Sequence, residues 1–295
     1  MDSSVIWRGM TRDGSARVLV INSKAIVQTA YENQHTTPTA TAALGRLLTA
    51  TSMIGSMMGE ESNRVTIGIN GDGEAGKLIA VGDYYGNVKG CITNPRVDPP
   101  LRTDGKLNVG RAVGNGTLYV IRDTGEAEPH VGTVSLRSGE IAEDIAAYFA
   151  ESEQVPTICS LGVLANRDGS CLAAGGVLIQ LLPFADEQTV EALEKNASKL
   201  TNISRAFADG KTVSDIAAMA LEGIEYDPFD ELSVAFVCDC SRERMHDAMA
   251  KVGQKELSEM FDEQVAEGKE RTLTAQCRFC TKSYTFSPEE FGLQS

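Results

Sequence analysis

Four cysteines in the last fifth of the chain are the residues best suited to do chemistry. They form a CxC pair and a CxxC pair: Cys238, Cys240, Cys277 and Cys280. Two close pairs that are far apart in sequence can meet in one tetrahedral site, and thiolate sulfur is a preferred ligand of zinc. Thiolates are also readily oxidised. The spacing therefore predicts a zinc site, and leaves open whether that site is a structural staple or a redox sensor.

Neighbouring residues separate this prediction from other uses of the same motifs. In disulfide oxidoreductases a CxxC opens a helix that follows a strand. Here the sequence CRFCTKSYTF runs into β-branched and aromatic residues, which favours a hairpin. His246 follows the CxC closely and could replace a ligand. Because four cysteines already satisfy the ion, we expect His246 to be an ordinary histidine on a helix surface.

A glycine motif offers a second candidate for chemistry. The sequence GDGEAG matches GxGxxG through Gly71, Gly73 and Gly76. A dinucleotide site would need a helix immediately afterwards, to place its N-terminus at the pyrophosphate. The following KLIAVGD is typical of a strand instead, so the motif predicts a tight turn.

The remaining reactive or charged candidates have no partners with catalytic or metal-ligand spacing. We expect the other two histidines to be structural or solvated, the three isolated cysteines to be core residues, and the arginine of an Ala-rich helix to be buried and paired. These residues are His35, His130, Cys91, Cys159, Cys171 and Arg46.

Composition excludes several classes of partner. The 295 residues are 42% hydrophobic and 23% charged, as in ordinary globular proteins, and carry a net charge of −14. An acidic chain is poorly suited to nucleic acid. We see no apolar stretch long enough to span a membrane and no secretion signal at the start. Seven cysteines, an odd number, fit a reducing cytoplasm better than a disulfide framework.

The pattern along the chain predicts an α+β protein in three parts. Residues 1–184 alternate strand and helix signals and predict a mixed two-layer core domain, including a helix that starts near Pro38. Residues 185–232 predict an all-helical linker, with Val190, Leu193, Leu200 and Ile203 on one side. Because its helices are short, this linker is expected to unfold first.

Residues 233–295 predict a small C-terminal zinc domain. A helix is expected between the two cysteine pairs, in KELSEMFDEQVAEG, and Ser287 with Glu290 resembles a capping box. The segment contains few apolar residues to bury. A segment with so small a core needs an additional source of stability, which a structural metal ion would supply.

Five blocks outside the CxC and CxxC pairs also carry a resemblance. They are HTTPTATAALGRLLTAT (35–51), INGDGEAGKLIAVGDYYGNVKGCITNP (69–95), VGNGTLYVIRD (113–123), SGEIAEDIAAYFAESEQVP (138–156) and AAGGVLIQLLP (173–183). With the CxC and CxxC, the chain resembles the redox-regulated 33-kDa heat shock protein family, bacterial chaperones of the holdase type. The resemblance covers essentially the whole length.

The resemblance implies a redox switch and no catalytic residue. In the reduced, inactive form one zinc ion per chain would be held by all four cysteines. Peroxide under unfolding conditions, or hypochlorous acid, would form the disulfides Cys238–Cys240 and Cys277–Cys280 and release the zinc. The C-terminal domain would unfold and the linker loosen. The chain would then form a homodimer and hold unfolding client proteins without ATP, in the cytoplasm.

Two other classes of function compete with this interpretation. A zinc-stapled adaptor with an inert four-cysteine site would keep its fold under mild oxidation and bind a constitutive partner. An enzyme would use the large N-terminal part, and would need a convergent acid–base or nucleophile set that the sequence does not reveal.

Overall fold

The computed structural model describes residues 3–294. Residues 1, 2 and 295, which the predicted first and last domains include, lie outside this range. The chain divides into two compact units, the first ending at Val237 and the second beginning at Cys238. The predicted boundaries at 184/185 and 232/233 remain predictions.

The first unit contains ten strands and seven α-helices among the described residues. In chain order these are β1 (Ser4–Thr11), β2 (Ala16–Asn22), α1 (Lys24–Gln34), α2 (Pro38–Gly55), β3 (Arg64–Gly71), β4 (Lys77–Asp83), β5 (Val88–Ile92), α3 (Val109–Val113), β6 (Gly116–Asp123), β7 (His130–Ser135), α4 (Ala142–Glu151), β8 (Thr157–Ala165), β9 (Cys171–Leu181), α5 (Glu187–Ala197), α6 (Ile203–Ala208), α7 (Val213–Ala220) and β10 (Tyr226–Val234).

The strands form two five-stranded antiparallel sheets. One has the order β10-β1-β2-β9-β8 and the other β5-β4-β3-β6-β7. The GxGxxG motif falls between β3 and β4, where Gly76 has φ +64°. A strand and not a helix follows the motif, so the predicted turn is confirmed. The predicted α+β class is confirmed as well.

Helix α2 forms the centre of the main core. Pro38 occupies its first turn, and the Thr37 side chain caps it by accepting a hydrogen bond from the Ala40 N–H. Every residue from Thr39 to Gly55 except Arg46 is buried. A helix that is buried on all sides must be enclosed by other elements. It packs against strands of both sheets, including β4 and β8.

The exception in α2, Arg46, forms an ion pair. Its guanidinium Nη1 lies 2.5 Å from Glu140 Oε2 and 3.2 Å from the Glu140 carbonyl oxygen. The expected pairing of Arg46 is therefore present, although the side chain is half-buried and not fully buried.

The linker prediction holds for its first part and is wrong for its last part. Helices α5 to α7 and a 3₁₀ turn at Ser198–Leu200 occupy the region up to Ala220. Residues from Tyr226 onward instead form β10, which pairs with β1. Pro228 and several acidic residues give this segment a low strand propensity, so its sequence does not indicate a strand. Pairing with the distant strand β1 outweighs that low propensity.

The linker helices cover a second core on the outer face of the first sheet. Leu193, Leu200 and Ile203 are buried there, as predicted, while Val190 is half-buried. They pack in one cluster with strand residues such as Val18 and Val177. In the structure, α5 to α7 therefore belong to the first unit.

The second unit is small. It contains α8 (Arg242–Ala250), α9 (Gln254–Ala266), β11 (Leu273–Gln276), β12 (Ser283–Phe286) and a 3₁₀ turn at Pro288–Phe291. The helix and the hairpin predicted for this segment are both present. The Ser287–Glu290 capping box is present too, although it begins the 3₁₀ turn and not a longer helix.

None of the helices between residues 3 and 294 combines the length and the apolar character needed to cross a membrane.

Candidate metal centre

The four cysteine sulfurs meet in one cluster. Cys238 and Cys240 lie on the segment before α8, and Cys277 and Cys280 lie on the turn that joins β11 to β12. All four sulfur atoms lie within 4.8 Å of one another. The Cys238 and Cys277 sulfurs are 3.6 Å apart, and those of Cys240 and Cys280 are 3.4 Å apart.

These distances fit a tetrahedral zinc site. Zinc–sulfur bonds of about 2.3 Å place the ligand sulfurs of a tetrahedron roughly 3.8 Å apart. Cys277 is buried and the other three cysteines are half-buried, so protein surrounds the cluster on several sides. Four soft ligands at this spacing can enclose one ion and leave no position for a substrate, as in structural zinc sites.

Local backbone structure positions each cysteine pair. In the hairpin turn, the Cys277 N–H donates to the Lys282 carbonyl and the Thr281 N–H donates to the Cys277 carbonyl. After the CxC, Ser241 caps α8 by accepting a hydrogen bond from the Arg244 N–H. Each pair is therefore held next to a defined element, which limits the conformational entropy lost when a metal binds.

Tyr284 belongs to the site although the spacing of the cysteines gave no sign of it. Its hydroxyl donates to the Cys240 carbonyl at 3.2 Å and lies 3.3 Å from the Cys240 sulfur. The interaction with Cys240 raises the pKa of Tyr284 to about 12. The available signal was an aromatic residue at an inward position of the strand after the CxxC, which can place a hydroxyl beside the sulfurs.

The cysteines differ in how readily they ionise. Burial acts to raise the pKa of Cys240, but hydrogen bonds from Tyr284 and the neighbouring thiols outweigh it and lower that pKa to about 7. Burial raises the pKa of Cys238 and is also the main cause of the raised pKa of Cys280. Of these three, Cys240 is therefore the sulfur most readily present as a thiolate.

Arg244 brings a positive charge close to the CxC. Its guanidinium pairs with the Asp239 carboxylate and donates to the Asp239 carbonyl at 3.1 Å. Asp239 stands between the two cysteines in sequence, so this contact fixes the backbone from which both sulfurs project. Outer contacts of this kind orient metal ligands.

Comparison with known proteins places nearly the whole chain in one family. A family profile described as Hsp33 protein matches residues 4–287. The chain belongs to the Hsp33 family. A 33 kDa chaperonin of Clostridium perfringens strain SM101 is 43% identical over 293 residues, which cover 98% of this chain and 90% of the relative. One from Clostridioides difficile strain 630 is 42% identical, covering 97% and 96%.

A solved structure matches as well. The 33 kDa chaperonin (heat shock protein 33 homolog) of Thermotoga maritima superposes with a TM-score of 0.90 at 32% identity, covering 99% of this chain and 97% of that one. The resemblance read from the sequence blocks is therefore confirmed.

His246 lies outside the sulfur cluster. Its ring stacks on Phe291 with centroids 4.7 Å apart, and its Nε2 lies 3.0 Å from the Glu290 carbonyl oxygen. The candidate metal ligands found among residues 3–294 are the four cysteines alone. The prediction of an ordinary histidine on a helix agrees with this placement.

The other three cysteines and two histidines belong to the first unit, whereas the sulfur cluster belongs to the second. Cys159 and Cys171 lie in β8 and β9, where burial raises the pKa of each thiol to about 12. Cys91 lies in β5. His35 ends α1 in a left-handed conformation, and His130 is exposed beside Glu126. Of the three cysteines expected in the core, Cys171 is buried, whereas Cys91 and Cys159 are half-buried.

Proposed function

We propose that this chain is a redox-regulated holdase that binds unfolding proteins without ATP. The relatives that span nearly its whole length are named 33 kDa chaperonins. The observation that carries the proposal is the cluster of four sulfurs within 4.8 Å, in a compact unit that has little else to hold it together. The four cysteines act as switch residues and not as catalytic ones.

One zinc ion per chain, held by the four cysteines, keeps the second unit folded in the reduced protein. The unit buries six hydrophobic side chains in its core among the described residues: Leu257, Phe261, Leu273, Tyr284, Phe286 and Phe291. A core of this size supplies little stability, whereas binding of a structural zinc ion contributes on the order of 10 kcal/mol. The folded unit therefore depends on its ligand thiolates.

Oxidation removes these ligands. Each disulfide forms when two thiolates give up two electrons, which hydrogen peroxide accepts with two protons to yield two molecules of water. In the folded cluster each sulfur of the CxC lies close to one of the CxxC, Cys238 at 3.6 Å from Cys277 and Cys240 at 3.4 Å from Cys280. Once zinc leaves and the unit opens, sequence-adjacent partners stay close, which favours Cys238–Cys240 and Cys277–Cys280.

Loss of the second unit then loosens the linker. Strand β10 ends at Val234, four residues before Cys238, so the two are joined by a short stretch of chain. Helices α5 to α7 are short and depend on packing for their stability. When they detach, their apolar faces become available to hydrophobic segments of client proteins. The active form is a homodimer that works in the reducing cytoplasm.

Parallel measurements on one sample test this mechanism. Zinc content, disulfide pairs by mass spectrometry, oligomeric state by sedimentation and suppression of client aggregation are followed before and after warm peroxide. We expect zinc release, the two adjacent disulfides, dimerisation and suppression to appear together. Suppression of aggregation with zinc still bound would contradict the switch.

A further inference from the structure

A cavity of about 1050 Å³ lies in the first unit along strand β8. Its lining includes seven consecutive residues, 161–167, which comprise the end of β8 and the two residues after it. Successive side chains of a strand point to opposite faces of a sheet. A cavity that touches every residue in turn must therefore run along the edge of the strand and not over one face.

This edge has unused hydrogen-bonding capacity. Strand β8 ends its sheet and pairs with β9 on one side. On the other side, its backbone forms no backbone hydrogen bond with another segment among residues 3–294. A row of free N–H and C=O groups is a template for adding one more strand.

The walls of the cavity come from both layers that cover the sheet. Pro38 and Arg46 belong to α2 on one face, while Ser204 and Arg205 belong to α6 on the other. A Cβ placed on Gly162 would lie 2.7 Å from both Ile203 Cγ2 and Ser204 N, so the start of α6 is packed tightly against β8. Residues of α2 and of α6 therefore both line the cavity beside β8.

The lining is basic although the chain is acidic. Five basic side chains and two acidic ones line the cavity, in a protein of net charge −14. The side chains of Lys106 and Arg167 form no ion pair with any residue in the described range. The buried Arg46 Nε also has no hydrogen-bond partner there. These donors complement an anionic ligand.

We propose that the free edge of β8 binds an extended, acidic segment of an unfolding protein as an added strand. Backbone hydrogen bonds to β8 hold the segment, its apolar side chains contact residues such as Leu107 and Leu164, and its carboxylates face the basic lining. The identity of the partner rests on the proposed holdase function. Because α6 forms one wall, loosening of the linker widens access to this edge.

Labelled peptides test the proposal on the full-length chain in its reduced, zinc-loaded form and in its oxidised form. Fluorescence anisotropy compares an eight-residue alternating glutamate–valine peptide with the matching lysine–valine peptide. We expect the acidic peptide to bind at least about tenfold more tightly than the basic one, and more tightly to the oxidised form. Equal binding of the two peptides would overturn the proposal.

Backbone methylation distinguishes strand addition from simple charge attraction. One acidic peptide carries N-methyl groups on all glutamates and another on all valines, so each lacks the donors along one edge. Strand addition predicts that one peptide loses about tenfold or more in affinity while the other keeps most of it. Equal losses, or no loss, would exclude pairing with β8.

Charge reversal locates the site. Arg102→Glu combined with Arg167→Glu changes two lining residues, and we expect about tenfold weaker binding of the acidic peptide. The control, Lys77→Glu with Lys255→Glu, makes the same change of net charge at exposed positions outside the cavity. Equal losses in both variants would contradict the assignment.

The aggregation assay separates this proposal from the switch. If the cavity variant binds no peptide yet its oxidised form suppresses client aggregation fully, the edge of β8 is not the client site and the holdase function stands. If the peptide binds as expected but the oxidised chain never suppresses aggregation, the holdase function fails.

Discussion

The two compact units are stabilised in different ways. The first surrounds the fully packed helix α2 with two five-stranded sheets, so its stability comes from apolar burial. The second has two short helices and a hairpin around six buried side chains and four thiols. The first unit can therefore persist while the second is lost, and this is the property a ligand-controlled switch requires.

Loss of the metal should have the largest effect, and should unfold the second unit and loosen α5 to α7 while leaving the main core around α2 folded. Cys277→Ser removes a buried thiol of the proposed zinc site, and we expect the second unit to lose a stabilising contribution on the order of 10 kcal/mol. Hydrogen exchange should show full loss of protection from Cys238 onward and little change in α2. Cys91→Ser should leave zinc content unaltered. Global unfolding of Cys277→Ser would show that the units are not independent.

A large-to-small substitution in the main core should have the opposite effect: it should destabilise the first unit and leave the second unchanged. Leu47→Ala removes a fully buried side chain from α2, and a loss of about 2–5 kcal/mol is expected for the first unit. Urea unfolding followed by the fluorescence of Trp7, which lies in this unit, measures the loss. Zinc stoichiometry should stay at one per chain. A variant that loses its zinc in the absence of urea would break the comparison.

Tyr284 tests how strongly the hairpin supports the cluster. Tyr284→Phe keeps the ring in the small core but removes the hydroxyl beside Cys240. A contact that supports a metal ligand is worth about tenfold to a hundredfold in affinity, so competition with a chromogenic chelator should show weaker zinc binding by that factor. Tyr119→Phe, in the first unit, is the matched control. Unchanged zinc affinity in Tyr284→Phe would show that the sulfurs alone define the site.

Acid should weaken the linker slightly through Asp13. The hydrogen bond from Thr11, together with those from Ser15 and Thr189, holds the pKa of Asp13 well below its usual range. A lowered folded-state pKa adds stability that is present above the unfolded value, about 4, and is lost as the pH falls toward the folded value.

Because Asp13 is largely exposed, its contribution should stay below about 1 kcal/mol. Asp13→Asn should reduce protection of α5 at neutral pH and abolish the part of its acid dependence that arises from this carboxyl. An unchanged pH profile in the variant would rule out the Asp13–Thr189 contact as its source.

Local signals predicted the parts of the molecule that depend on short stretches of chain. The CxC and CxxC spacing led to the sulfur cluster, and the early Pro38 with an Ala- and Leu-rich run led to α2. Strand β10 escaped prediction because it is acidic, contains Pro228 and gains its order from β1, more than 200 residues earlier. The basic cavity escaped because its walls combine segments that no local pattern connects.

The pairing of β1 with β10 has a consequence for the order of synthesis. The first strand of the chain lies between β2 and a strand that ends at Val234. On the ribosome its outer edge stays unpaired until nearly all of the first unit has been made, and the last thiol, Cys280, emerges later still. Nascent chains therefore pass through a stage in which this sheet edge is unpaired and the four cysteines are not all present. A chain can bind zinc through all four cysteines only after the whole first unit has been synthesised.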